Sequence, residues 1–114
     1  MSPLDITVRN TPAGPVVGVV GDLDYATAAE LRDLTAALPL LAGQRLVLDL
    51  AGMEFCDSSG ISALIAARNH ALAAHAHIRL DGVPAHTLRV LRFVGLAQVF
   101  HLDTDPATGT GDAV

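Results

Sequence analysis

Asp57-Ser58-Ser59-Gly60 is the stretch of this chain best equipped for chemistry. It follows the apolar run Leu46-Val47-Leu48-Asp49-Leu50 and a turn region, and it opens a long helical pattern. Serine hydroxyls are thereby displayed at the start of a helix. Backbone N–H groups are unpaired there, and the helix dipole favours negative charge. A phosphate added at Ser58 would gain hydrogen bonds and disturb little. The arrangement reads as a serine-based charge switch.

Nucleophilic catalysis fits less well. Residues 56–60 read Cys-Asp-Ser-Ser-Gly, not the Gly-x-Ser-x-Gly elbow of a serine hydrolase. No His–Asp pair stands at a telling spacing, so no catalytic residue is assigned and the chain is not read as an enzyme. Cys56 is the lone cysteine, which excludes an internal disulfide and a Cys-based zinc site. It reads as a small packed hydrophobe. His70, His75, His77, His86 and His101 come with no carboxylate cluster. His70 and His75, five apart on a helix, diverge. They read as solvent-facing, and no metal or cofactor is expected.

The elements around the serines follow from pattern. Leu4-Asp5-Ile6-Thr7-Val8 alternates like a half-buried strand, Thr11-Pro12-Ala13-Gly14 marks a turn, and Val16 to Val20 returns as a second, antiparallel strand. Gly21-Asp22-Leu23-Asp24 breaks that pattern. Thr27-Ala28-Ala29-Glu30 reads as a capping box, with Leu31, Leu34 and Leu38 at helical spacing behind it. Pro39 and Gly43 end that helix. The Leu46–Leu50 strand follows, then a helix from about Ser58 with a core stripe of Ile61, Leu64, Ile65 and Leu72 and alanines filling the rest.

Ile78-Arg79-Leu80 is a short strand. Pro84 suits the first turn of a third helix with Leu88, Leu91 and Val94 as its stripe and Gly95 as its stop. Val99-Phe100-His101-Leu102 reads as a last strand. The expected fold is α/β: one domain over residues 1–103, a mostly parallel sheet of about five strands with an antiparallel edge, and helices packed on it. Residues 104–114 have no periodicity and are expected to be a disordered tail.

Composition narrows the partners. The chain has 114 residues, 51% of them apolar, a formal net charge of -5 and no lysine. An acidic chain without an arginine cluster is a poor nucleic-acid binder. No apolar run approaches the roughly 18–20 residues of a membrane span. The start, MSPLDITVRN, lacks the basic and apolar blocks of a signal peptide, so a soluble cytoplasmic protein is expected. In the free form a monomer is expected.

These features together resemble the STAS domains of bacterial anti-sigma-factor antagonists, which work in partner-switching systems. The resemblance is carried by Gly21-Asp22-Leu23-Asp24 with Thr27 and the first helix, the strand Leu46–Leu50, Phe55-Cys56-Asp57-Ser58-Ser59-Gly60, and the run from Val83-Pro84-Ala85 to Val94-Gly95-Leu96. It implies a regulator of sigma-factor-dependent transcription that binds rather than catalyses. The unmodified form would capture an anti-sigma factor that is a serine kinase, freeing a sigma factor. Phosphorylation of Ser58 would end the capture, and a serine phosphatase would restore it.

The resemblance places Asp22, Asp24, Asp57, Ser58, Ser59 and Gly60 on the partner-binding face. Gly60 would let the kinase approach the backbone closely. Asp57 also suits a helix cap, Ser59 a helix-start residue, and Asp22 and Asp24 turn residues. A constitutive STAS scaffold, as in a lipid-transport or stress-sensing assembly, is the alternative. Family members commonly end in a further helix, which this tail does not resemble.

Overall fold

Alternating side chains on two neighbouring strands put one apolar face of the sheet against helices. A computed structural model describes residues 3–100, and the chain divides after Pro84 into two compact units. The first unit holds β1 (Asp5–Thr11), β2 (Gly14–Leu23), α1 (Ala28–Ala36), β3 (Arg45–Cys56), α2 (Ser58–Ala73) and β4 (His77–Asp81). Sheet order is β1-β2-β3-β4; β1 and β2 are antiparallel, and the other pairs are parallel. The small α/β domain expected from the sequence is present.

The tight turn falls at Thr11–Gly14 as anticipated, with the Thr11 hydroxyl donating to the Gly14 carbonyl at 2.7 Å. Gly14 has φ +135°, and a Cβ there would run into the Arg45 carbonyl, so this turn requires glycine.

Both central strands are longer than their alternation predicted. β2 runs through Gly21 and Asp22 to Leu23, and β3 continues past Leu50 to Cys56. The reason is two register shifts. Gly18 pairs with Asp49 but Val20 with Gly52, and Gly21 pairs with Met53 but Asp22 with Phe55. Each shift inserts one extra residue into β3, as a β-bulge does. Buried positions therefore run Leu46, Leu48, Leu50 and then Met53, a break in period that imitates a strand end.

Among the described residues no fifth strand is formed. Val99 and Phe100 lie in a turn, while His101 and Leu102 fall outside the described residues. The described residues form a sheet of four strands where about five were expected. The boundary expected at residue 103 and the tail after it also lie outside the described range.

On α1, Leu31 is buried as expected, together with Ala28 and Thr35. The Thr35 hydroxyl donates to the Leu31 carbonyl at 3.0 Å, which satisfies it inside the core. Leu34 and Leu38 are only half-buried.

On α2 the buried side is Gly60, Ile61, Ala63, Leu64, Ala67 and Ala71. Ile65 is half-buried and Leu72 is 46% exposed, so the expected stripe is half right. The alanines are the contact face, not filler: small side chains let the helix backbone approach its neighbours closely. His70 is not a solvent-facing residue either. Its Nε2 lies 2.8 Å from the Leu38 carbonyl and ties α2 to the chain just beyond α1.

The second unit contains α3 (Ala85–Phe93). It buries Thr87 and Leu91, whereas Val94, expected in its stripe, is exposed. Gly95 at φ +81° ends it, and the Leu96 N–H folds back onto the Leu91 carbonyl at 2.8 Å.

Candidate functional site at the ends of β2 and β3

β2 and β3 run parallel and finish side by side, Leu23 opposite Cys56. The chain leaving β2 forms the loop Asp24–Thr27 into α1. The chain leaving β3 passes Asp57 into α2. Two segments 32 positions apart are thus delivered to one corner, the carboxyl end of a parallel strand pair, where α/β folds generally place their sites.

Asp57 joins the two. Its N–H donates to the Leu23 carbonyl at 3.3 Å. Its Oδ1 accepts from the Gly60 N–H at 3.0 Å, which makes it the N-cap of α2. Its Oδ2 accepts from the Tyr25 N–H at 3.1 Å. One carboxylate therefore caps the helix and holds the neighbouring loop. Asp57 takes the capping role that its sequence reading allowed.

The loop has its own network. Asp24 Oδ1 accepts from the N–H groups of Ala26 at 3.0 Å and Thr27 at 3.2 Å. The Thr27 hydroxyl donates to the Asp22 carbonyl at 2.8 Å and accepts from the Asp24 N–H at 2.9 Å. The expected capping box is therefore absent: the Glu30 N–H bonds the Thr27 carbonyl, not its side chain. Thr27 faces back towards β2 because the Asp22 and Asp24 backbone groups need partners there.

Ser58 is exposed as the first residue of α2. Ser59 and Asp22 are half-buried. Gly60 is buried, and this corrects the reason given for it. A Cβ at Gly60 would lie 2.5 Å from the Leu23 carbonyl oxygen and 2.7 Å from Cys56 Sγ. Glycine is needed by the packing of α2 on the end of β2, from inside the protein. Cys56 is half-buried, with its thiol 3.6 Å from the Asp57 carbonyl. Burial first, and the Asp57 charge second, push the thiol up to about 11, so near neutrality it stays protonated and unreactive.

Tyr25 escaped the sequence reading. It is 86% exposed, with its backbone held by Asp57. The available signal was an aromatic in an acidic loop, outside any periodic pattern. Phe55, opposite Asp22, is a second exposed aromatic at 49%.

The arrangement offers an exposed serine at a helix start, next to Asp57, which also holds the backbone of the exposed Tyr25. The sequence matches the family described as "Mlab, STAS domain" over residues 6–102. The chain belongs to this STAS family. Its fold is shared with an anti-sigma factor antagonist from Mycobacterium paratuberculosis: 26% identity, TM-score 0.72, and coverage of 86% of this chain and 83% of that one. An antisigma-factor antagonist STAS domain from Rhodobacter sphaeroides is also 26% identical, with a TM-score of 0.55 over 69% of this chain and 86% of that one. SpoIIAA, an anti-sigma factor antagonist in its unphosphorylated form, has the same fold at 16% identity, TM-score 0.62, over 80% of this chain and 83% of that one.

Proposed function

We propose that the chain is an anti-sigma-factor antagonist that acts by binding, in the cytoplasm, with Ser58 as its switch. Unmodified, it captures an anti-sigma factor that is also a serine kinase, and a sigma factor is freed. The kinase phosphorylates Ser58 and capture ends; a serine phosphatase restores the binding form. Two antagonists of 26% identity support the general role. The observation that carries the switch is the exposure of Ser58 at the first position of α2, while Asp57 does the capping. The Ser58 hydroxyl is thus free of structural duty.

Phosphorylation adds about -1.5 to -2 charges. At a helix N-terminus that charge is tolerated, by roughly 0.3–1 kcal/mol, so the fold survives. The interface does not. To receive a phosphoryl group, Ser58 must face the terminal phosphate of the kinase's nucleotide. Once modified, it faces the remaining nucleotide phosphates, with Asp57 adjacent. Like charges in a closed interface cost a few kcal/mol, or roughly a hundredfold in affinity. Asp22, Asp24, Asp57, Ser58 and Ser59 make up the proposed binding face, with Gly60 supporting it from beneath.

Incubation with ATP and each serine-kinase anti-sigma factor of the source genome, followed by mass spectrometry of the Ser58 peptide, tests this. One phosphoryl group at Ser58, and loss of capture in Ser58→Asp, are expected. Undiminished capture by a folded Ser58→Asp protein would falsify the switch. A second reading is a constitutive STAS scaffold or adaptor subunit. Absence of phosphorylation by every such kinase would select it.

A further inference from the structure

An open groove of about 450 Å³ lies at the start of β3, the far end of that strand from Ser58. Pro12, Ala13, Leu41 and Ala42 give it apolar walls, and its polar side chains are Gln44, Arg45 and His77. Backbone bonds tie these segments together. The Arg45 N–H donates to the Ala13 carbonyl at 2.8 Å, the His77 N–H to the Gln44 carbonyl at 2.8 Å, and the Gly43 N–H to the His75 carbonyl at 2.9 Å. The groove is therefore built by the fold itself.

Its hydrogen-bonding capacity is one-sided. The Ala13 and Gln44 carbonyls are taken by those bonds, and the Leu41 carbonyl accepts from the Gln44 N–H at 3.0 Å. Gln44 Oε1 accepts from the Leu41 N–H at 2.9 Å, which fixes the side-chain amide and leaves its nitrogen as a donor. Among the described residues, that nitrogen, the Arg45 guanidinium and the His77 ring have no hydrogen-bond or ion-pair partner. No carboxylate is among the lining residues. Spare donors facing occupied acceptors suit an anion.

Arg45 pairs with His77 in register, on strands about 4.8 Å apart, so both side chains stand on one face. The next row along that face is Arg9, Val16, Val47 and Arg79. Asp49 and Asp81 come one row further, and both are engaged, by the Ala51 N–H and by Arg79. The choice among anions follows from oxygen count. One guanidinium uses up both oxygens of a carboxylate, whereas a phosphate has enough for Arg45, His77 and Gln44 together.

We propose that this groove binds a phosphate-bearing ligand through Arg45, His77 and the Gln44 amide, with the ligand's organic part against Leu41 and Ala42. The site is separate from the Ser58 corner, and its failure would leave the switch reading standing.

The test offers the full chain inorganic phosphate, glycerol 3-phosphate, and phosphatidylcholine vesicles containing phosphatidic acid. Backbone amide NMR shifts follow the first two, and co-sedimentation the third. Arg45→Gln removes the main donor, and Ala42→Glu sets a carboxylate in the groove. Arg32→Gln removes the same charge from an exposed position on α1 and serves as the control. Urea midpoints first establish that each variant folds. Wild type is expected to bind saturably, with shifts at residues 41–45 and 77. Affinity is expected to fall about tenfold or more in Arg45→Gln and Ala42→Glu, and to stay within about twofold in Arg32→Gln. With that variant pattern, saturation by either dissolved phosphate identifies a soluble ligand, and binding confined to the phosphatidic acid vesicles identifies a lipid headgroup; either supports the site. No saturable binding of any probe by wild type overturns the proposal. So does equal weakening by Arg45→Gln and Arg32→Gln, the mark of general charge attraction.

Discussion

Asp57 and Tyr25, 32 positions apart, are joined by a 3.1 Å hydrogen bond from the tyrosine N–H to Oδ2, while the other carboxylate oxygen caps α2 through Gly60. The helix start and the loop after β2 are therefore one mechanical piece.

Removing that carboxylate should be felt in stability. Asp57→Ala loses the cap and the loop bond together, and a loss of about 1–2 kcal/mol is expected. Urea denaturation measures it. Asp57→Asn keeps one acceptor oxygen and should fall between alanine and wild type. A stability of Asp57→Ala equal to wild type would contradict the bridging role.

Gly60→Ala probes the fit of α2 on β2. The new methyl meets the Leu23 carbonyl and Cys56 Sγ, at 2.5 and 2.7 Å, and a backbone carbonyl cannot swing away. Destabilisation of about 1–3 kcal/mol is expected, as for other overpacked sites. Cys56→Ala in the same chain should return only part of it, because the Leu23 clash remains. Full rescue in that double-mutant cycle would show the sulfur to be the sole obstacle.

The two sides of α2 should respond oppositely to size. Ala67 is fully buried and Leu72 is 46% exposed. Ala67→Leu is expected to cost at least about 1–3 kcal/mol. Leu72→Ala should cost under about 1 kcal/mol, much less than a core leucine. Thermal melting of the pair decides between this alanine face and the leucine stripe read from spacing.

Cys56 gives the fold an alkaline weakness. Its folded-state value is raised from 9.0 to about 11, mainly by burial. The unfolded chain therefore releases this proton first. The contribution to stability is complete below pH 9.0, then declines as pH rises towards about 11. Stability measured against pH should slope downward across that window in wild type, and less so in Cys56→Ala. Parallel curves for the two proteins would refute the assignment.

The tight turn at Thr11–Gly14, the start of α2 and the alternation of strands with helices were legible in the residues themselves. Each is a local property: a turn needs its glycine, a helix start its acid or hydroxyl, a strand its period of two. The ends of β2 and β3 were not legible, because bulges at their pairing shift the buried face, and a bulge exists only between two strands. Val99–Phe100 resembled a strand by composition, yet a strand also requires a neighbour to bond.

The same division runs through the site. Sequence placed Ser58 at a helix start and set acids nearby. Only the folded chain decided that Asp57 would be the cap in preference to Ser59, that Gly60 would face inward, and that Tyr25 would stand exposed with its N–H on Asp57. Those outcomes depend on Leu23 and Cys56 ending opposite each other, a pairing between distant segments that no local preference encodes.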